Sequence, residues 1–272
     1  ADGRVLVGAE ALGRHRLTPL YAQNRFWHAL GTEALPWSAR GIATAADLAH
    51  AHLSAVLAPH VAAGARELLL AVPPGLARDQ LGLLVGIANE CGVVVRGLVD
   101  AGLAACVTVP PAPHMLHLDL GLHVATATMV ETARAEGTLR RVRYELLPGA
   151  GVLAFAQALA SQLATAFVRE TRFDPLHQAA TEQRLHDLLP DWLAQLRERP
   201  EIAAEIEFGG TTHRIALRRE QVKAAVAEPV ADVVRLVQAS RPAGLALVIC
   251  VTPRVAAMPG LVERLSALRD VV

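Results

Sequence analysis

An α/β fold is predicted by three features of the sequence. Two continuous apolar runs, ELLLAVPP and VVVRGLVD, read as strands buried on both faces, as in a parallel sheet. The segment between them, LARDQLGLLVGIANECG, has helical spacing and closes on Gly92, a residue suited to a helix C-cap. Downstream, MLHLDLG and VATATMVE form two strands around a glycine turn and RRVRYELL adds a third. Strand, helix, strand, helix and then a meander is an α/β order.

The remaining elements follow in sequence. ADGRVLVG reads as an opening strand, GAEALGRHRLTP as a short helix ending near Pro19, and YAQNRFWHALG as irregular. From Thr44 to about Ala63 apolar residues recur at helical spacing, with Thr44 as the N-cap. DAGLAACVTV starts a short helix, and a long helix runs from Gly151 to Arg169. TEQRLHDLLPDWLAQLRE is helical on both sides of Pro190, and EIAAEIEFGGTTHRIAL is a hairpin turning at Gly209-Gly210. THRIALRREQVKAAV reads as strand then helix. ALVICVTPRVAAMPGLVERLSALRD closes with a buried strand, a loop and a helix beginning near Pro259.

Composition narrows the function. Lys and Arg total 26, as do Asp and Glu, and no basic block occurs, so the electrostatic footprint of a nucleic-acid binder is absent. Cys91, Cys106 and Cys250 lie far apart in apolar segments without metal-ligand spacing, which points to reduced, buried and inert thiols and a cytoplasmic location. The histidines, including the pair His50 and His52 and the set His114, His117 and His123, match no ligand pattern, so no metal site is expected. Apolar runs are broken by Arg96 and Asp100, or by Pro253 and Arg254, before they reach a membrane-spanning length.

Taken in order, several segments resemble the nucleotide-binding domain of the seventy-kilodalton heat-shock chaperones, within the actin-like ATPase superfamily. VGAEALGRHRLTP is similar to the family's Val-Gly-Glu-Ala-Ala segment. ELLLAVPPGLARDQLGLLVGIANECGVVVRGLVDAGLAA resembles its strand-Val-Pro, helix, strand, Asn-Glu-Pro-Thr-Ala-Ala passage. LDLGLHVATATMVE aligns on the Asp-Leu-Gly-Gly-Gly-Thr hairpin, LPGAGVLAFAQALASQL on the Leu-Gly-Gly-Glu-Asp-Phe-Asp helix start, and VICVTPRVAAMPGLVERL on the Val-Gly-Gly-x-Thr-Arg-x-Pro segment. The resemblance implies a two-lobed, ribonuclease H-like fold, with a first lobe over 1–108, a second over 109–272 and an outer helical and hairpin subdomain at about 173–217. It also implies that the family's opening strands, and its last strand and helix, lie outside this sequence.

In such folds glycine loops from each lobe wrap around the phosphates, because a side chain would hold backbone N–H groups away from the phosphate oxygens. The resemblance makes Asp119, Gly121, Gly149 and Gly151 the nucleotide-contacting residues and Asp100 the catalytic carboxylate; the alternatives are a hairpin-capping turn residue for Asp119, tight-turn glycines for Gly149 and Gly151, and a plain N-cap for Asp100. Other positions depart from the pattern. Leu122, His123 and Val124 stand in place of Gly-Gly-Thr, and the catalytic lysine corresponds to Trp27 or, with a one-residue slip, His28. The adenine clamp falls near Pro190, Leu193 and Ala194, and Val251-Thr252 replaces the closing Gly-Gly.

A charge-assisted hydrogen bond contributes roughly 1.5–3 kcal/mol net. Losing three or four weakens binding by about 5 kcal/mol or more, roughly a thousandfold or greater loss of affinity. The expectation is a degenerate chaperone-like ATPase domain in which ATP and Mg bind weakly, acting as a protein-binding or regulatory module. The competing expectation is a working ATPase whose first phosphate loop lies outside this sequence. A partner or self-association surface is expected where Trp192 or Leu196 adds apolar bulk to the outer subdomain, unless both pack beneath the EIEFGG hairpin.

Overall fold

The computed structural model describes residues 5–39, 41–133, 138–242 and 244–268. The chain is mixed α/β and divides into two compact units between Ala104 and Ala105.

The first unit contains helix α1 (Gly8–Leu12), strands β1 (Ala34–Ala39) and β2 (Ile42–Thr44), helix α2 (Ala45–Ala62), strand β3 (Glu67–Val72), helix α3 (Arg78–Glu90) and strand β4 (Val94–Asp100), from which helix α4 (Ala101–Cys106) continues into the second. Helix α2 begins as its sequence dictates. The Thr44 hydroxyl accepts from the Asp47 amide at 3.2 Å, and the Asp47 carboxylate accepts from the Thr44 amide at 2.8 Å, a reciprocal capping box. Strands β3 and β4 pair in parallel, joined by α3 as a crossover. Leu68, Leu70, Val72 and Val95 pack against residues of α2 and α3 including Leu53, Leu57, Leu84 and Ala88. The opposite face carries Leu69, Val94 and Val99, all exposed.

Two expectations for this unit need correction. The opening strand is not formed: residues 5–7 have no regular structure, and 1–4 lie outside the described residues. The helix expected to approach Pro19 ends at Leu12, with turns beyond it. Between these segments and α2, where the sequence assigned no element, lies the antiparallel β1–β2 pair.

The second unit opens with a meander, β5 (His114–Leu120), β6 (Val124–Thr132) and β7 (Leu139–Pro148). Helix α5 (Val152–Thr171), helix α6 (Ala179–Glu198), strands β8 (Glu201–Phe208) and β9 (Thr211–Arg218), and helices α7 (Arg219–Ala225) and α8 (Ala227–Ser240) follow. Strand β10 (Val248–Val251) and helices α9 (Pro253–Ala257) and α10 (Leu261–Ser266) complete it. The sheet order is β10-β5-β6-β7, antiparallel within the meander and parallel between β10 and β5.

Alternation gives this sheet two chemically different faces. Leu116, Leu118, Leu120, Ala125, Ala127 and Met129 enter a core filled by Phe155, Leu159, Leu163 and Phe167 of α5 and by Val230, Val233 and Val237 of α8. The other face carries Met115, His117, Asp119, Thr126, Thr128 and Cys250. By length and composition α5 is apolar enough to cross a membrane, yet its Phe155–Phe167 stripe is this core's centre, as in an ordinary core helix.

The outer elements differ from expectation in one respect. Helix α6 runs unbroken through Pro190, where helices on either side had been expected. Proline costs a helix roughly 3 kcal/mol through a lost hydrogen bond and a ring clash. Pro190 is exposed, while Leu185, Leu189, Trp192 and Leu196 on the inner stripe are buried, and their burial outweighs the penalty. Trp192 and Leu196 are only 5% and 3% exposed. Both therefore belong to the core against the β8–β9 hairpin, and the expectation that either side chain lines a partner surface is corrected. The hairpin turns at Gly209 and Gly210, both with positive φ, as the sequence indicated. Arg219 donates to the carbonyls of Leu196 and Arg197 and so closes the C-terminal end of α6.

Candidate functional site

Asp119, Gly121, Gly149 and Gly151 converge in the second unit, where the β5–β6 turn meets the start of α5. Gly121 makes the turn tight: its amide donates to the Val124 carbonyl at 2.9 Å, and a Cβ here would stand 3.2 Å from that oxygen. Gly149 adopts φ +82°, a left-handed conformation that glycine reaches without strain. Its amide donates to the His123 carbonyl at 2.8 Å.

Gly151 is the tightest point. A Cβ there would lie 2.4 Å from the Leu122 carbonyl oxygen and 2.5 Å from the His123 nitrogen. Two glycine loops thus lie backbone against backbone. The first free amides of α5 are consumed by this contact, Val152 N–H donating to the Gly121 carbonyl at 2.9 Å and Leu153 N–H to the Leu122 carbonyl at 3.1 Å. Ala154 N–H donates to Gly151 at 3.0 Å. A helix N-terminus attracts phosphate through unsatisfied amides and its dipole. Here carbonyl oxygens already hold those amides.

Asp119 is occupied as well. Its Oδ1 accepts the Thr252 hydroxyl at 2.9 Å, and Arg254 approaches both carboxylate oxygens, at 3.2 and 3.1 Å. Strand β10 brings these partners in: it pairs with β5 in parallel, Thr252 N–H donates to the Leu118 carbonyl at 3.3 Å, and α9 begins at Pro253. The Asp119 carboxylate is thus charge-paired with the chain's own guanidinium. Thr252 and Arg254 were not anticipated as partners of Asp119. Their signal was the Thr-Pro-Arg tripeptide directly after a buried strand, readable as a closing loop but not as a carboxylate partner.

Other anticipated residues have local roles. Asp100 ends β4, and its Oδ1 accepts the amides of Gly102 at 2.9 Å and Leu103 at 3.2 Å, so it is the N-cap of α4. It belongs to the first unit and Asp119 to the second. Trp27 donates its indole N–H to His52 Nδ1 at 3.3 Å and packs beside Phe26, an aromatic cluster against α2. His28 is exposed. Pro190, Leu193 and Ala194 lie along α6 and supply no charged group. Among the described residues no group of three His, Cys, Asp or Glu side chains is placed to hold a metal ion.

Compared with known protein families and with curated proteins, the chain matches none.

Proposed function

We propose that this chain is a degenerate member of the actin-like ATPase superfamily, akin to the nucleotide-binding domain of seventy-kilodalton heat-shock chaperones. On this reading it hydrolyses ATP weakly or not at all and acts in the cytoplasm as a protein-binding or regulatory module. The observation that carries the reading is the engagement of Asp119 by Arg254 and Thr252, beside a helix start whose amides are spent on the Gly121 and Leu122 carbonyls. A strand, an acidic residue, a glycine turn and a second strand form the kind of hairpin that superfamily uses for phosphate. In this chain the hairpin is bound to itself. Support for the protein-binding half comes from the outer face of β3–β4, where Leu69 is 73% and Val94 54% exposed, more apolar surface than a lone pair of strands keeps open without a partner.

Isothermal calorimetry of the chain with Mg-ATP tests the reading. The expected dissociation constant exceeds about 100 μM, equivalent to roughly 5 kcal/mol of binding free energy, with phosphate release weak or absent. Low-micromolar binding that Asp119→Ala abolishes would overturn it in favour of a working ATPase.

A further inference from the structure

Strand β7 is the outermost strand of the β10-β5-β6-β7 sheet, and among the described strands it pairs with β6 alone. Its outer N–H and C=O groups are therefore open to another strand. Every residue from Arg140 to Leu146 is exposed, including the large apolar side chains Val142, Tyr144 and Leu146, at 46%, 38% and 38%. The register with β6 shifts between Met129 and Val130, which leaves Val142 without a partner as a bulge; beyond it the pairing is regular from Arg143 to Pro148. Arg143 and Glu145 are opposite Met129 and Ala127 on one face of the sheet, and Tyr144 and Leu146 are opposite Thr128 and Thr126 on the other. Glu145 makes no ion pair among the described residues, and the Arg141 guanidinium lies over the Tyr144 ring, 5.2 Å from its centroid.

We propose that β7 is a homodimer interface, to which β7 of a second copy adds in antiparallel fashion about a twofold axis at Tyr144, joining two four-stranded sheets edge to edge. This inference does not rest on the nucleotide reading. Residues directly opposite in an antiparallel pair share a face, so the axis must pass between a residue and its own copy. That leaves few registers for the regular stretch, whose only charged residues are Arg143 and Glu145. Centred on Arg143, two arginines meet; centred on Glu145, two glutamates meet. Centred on Leu146, Glu145 faces Leu147 and gains no cation. Centred on Tyr144, Arg143 of each copy faces Glu145 of the other, twice by symmetry, and the two Tyr144 rings meet on the opposite face. Only this last register gives Glu145 a cation without opposing like charges.

Arginines and a bulge on an edge strand ordinarily discourage strand addition. On β7 they exclude the competing registers and leave one. Arg143 donates to the Ser240 carbonyl at the end of α8, which fixes its stem, and a guanidinium has further N–H donors for a carboxylate. Because the patch is complementary to itself, the contact closes at two copies and does not propagate.

Sedimentation velocity of the full chain tests this from about 5 to 300 μM, a range set by the weak association of small interfaces. The expected result is a monomer–dimer equilibrium that saturates at the dimer. Glu145→Arg opposes arginine to arginine and Arg143→Glu opposes glutamate to glutamate, so each variant alone is expected to stay monomeric. Mixed in equal amounts, they restore opposite charges at both contacts, and a dimer containing one of each is expected to return. Circular dichroism checks that both variants fold. Hydrogen exchange needs no variant: in the unmodified chain, amides between residues 143 and 147 should gain protection as concentration rises, while those of the β8–β9 hairpin stay constant. A chain that remains monomeric, assembles beyond the dimer or shows no concentration-dependent protection in β7 would overturn the proposal. So would a Glu145→Arg chain that dimerises undiminished, or folded variants that fail to associate on mixing.

Discussion

Arg254 meets both carboxylate oxygens of Asp119, 135 residues away in sequence, at 3.2 and 3.1 Å. The pair ties α9 to the end of β5, and the Thr252 hydroxyl completes it. The pair's own contribution to stability is small. Arg254 is 56% exposed at the side chain and Asp119 22%, so water screens the attraction. A double-mutant cycle with Arg254→Ala and Asp119→Ala, measured by urea unfolding, is expected to give a coupling of roughly 0.2–1 kcal/mol. At about 1 M salt, where the Debye length is about 3 Å, the coupling should largely vanish. A coupling of several kcal/mol would show the pair to be a structural anchor instead of a screened surface contact.

Two glycines of the same loop predict different penalties. Gly149→Ala meets nothing within 4 Å but must hold φ +82°, which costs about 1–2 kcal/mol for a residue with a side chain. Gly151→Ala has an ordinary φ yet drives its Cβ to 2.4 Å from the Leu122 oxygen, so backbone must separate from backbone. The loss is expected to exceed that of Gly149→Ala, at roughly 3 kcal/mol or more. Hydrogen exchange distinguishes the mechanisms: in Gly151→Ala the amides of Val152 and Leu153 should lose protection, because their acceptors are the displaced turn. Equal penalties, with those amides still protected, would show that the two loops are not interlocked.

Trp192 and Leu196 both lie in the main core of the second unit. Trp192→Ala is expected to lower stability by about 3–5 kcal/mol and Leu196→Ala by about 2–5 kcal/mol, with the denaturation midpoint shifting accordingly. Near-wild-type midpoints would return both residues to the surface and revive a partner-contact role.

The sequence made long, periodic elements legible and left short or compromised ones obscure. Thr44 with Asp47 three residues on announces α2, and Gly209-Gly210 announces the β8–β9 turn, because each signal is local. Helix α8 carries its own apolar spacing, Val230, Val233, Val234 and Val237, but β-branched valines blur it. The unbroken α6 was not readable from Pro190, since the burial of Trp192 on the opposite stripe is a tertiary effect. For the site, residue identities at Asp119, Gly121, Gly149 and Gly151 were visible. Their closure was not, because Arg254 and the Leu122 carbonyl reach them only through the β10–β5 pairing and the meeting of two loops.

The first unit offers a pH test built on His52. Burial holds its imidazole below the ordinary histidine value of 6.5, favouring the neutral ring. Trp27 donates its indole N–H to Nδ1 of that ring, a bond that a proton on Nδ1 would abolish. The folded value thus lies below the unfolded one. The stabilisation is complete above about pH 6.5 and fades as pH falls through the folded value. Hydrogen exchange across α2, compared at pH values on either side of 6.5 after correction for the intrinsic rate, should show protection falling on acidification. His52→Phe keeps an aromatic ring beside Phe26 and Trp27 but cannot titrate, so its α2 protection should start lower, without the Trp27 bond, and change less with pH. An equal acid loss in both proteins would assign the effect to another group and remove His52 from the account.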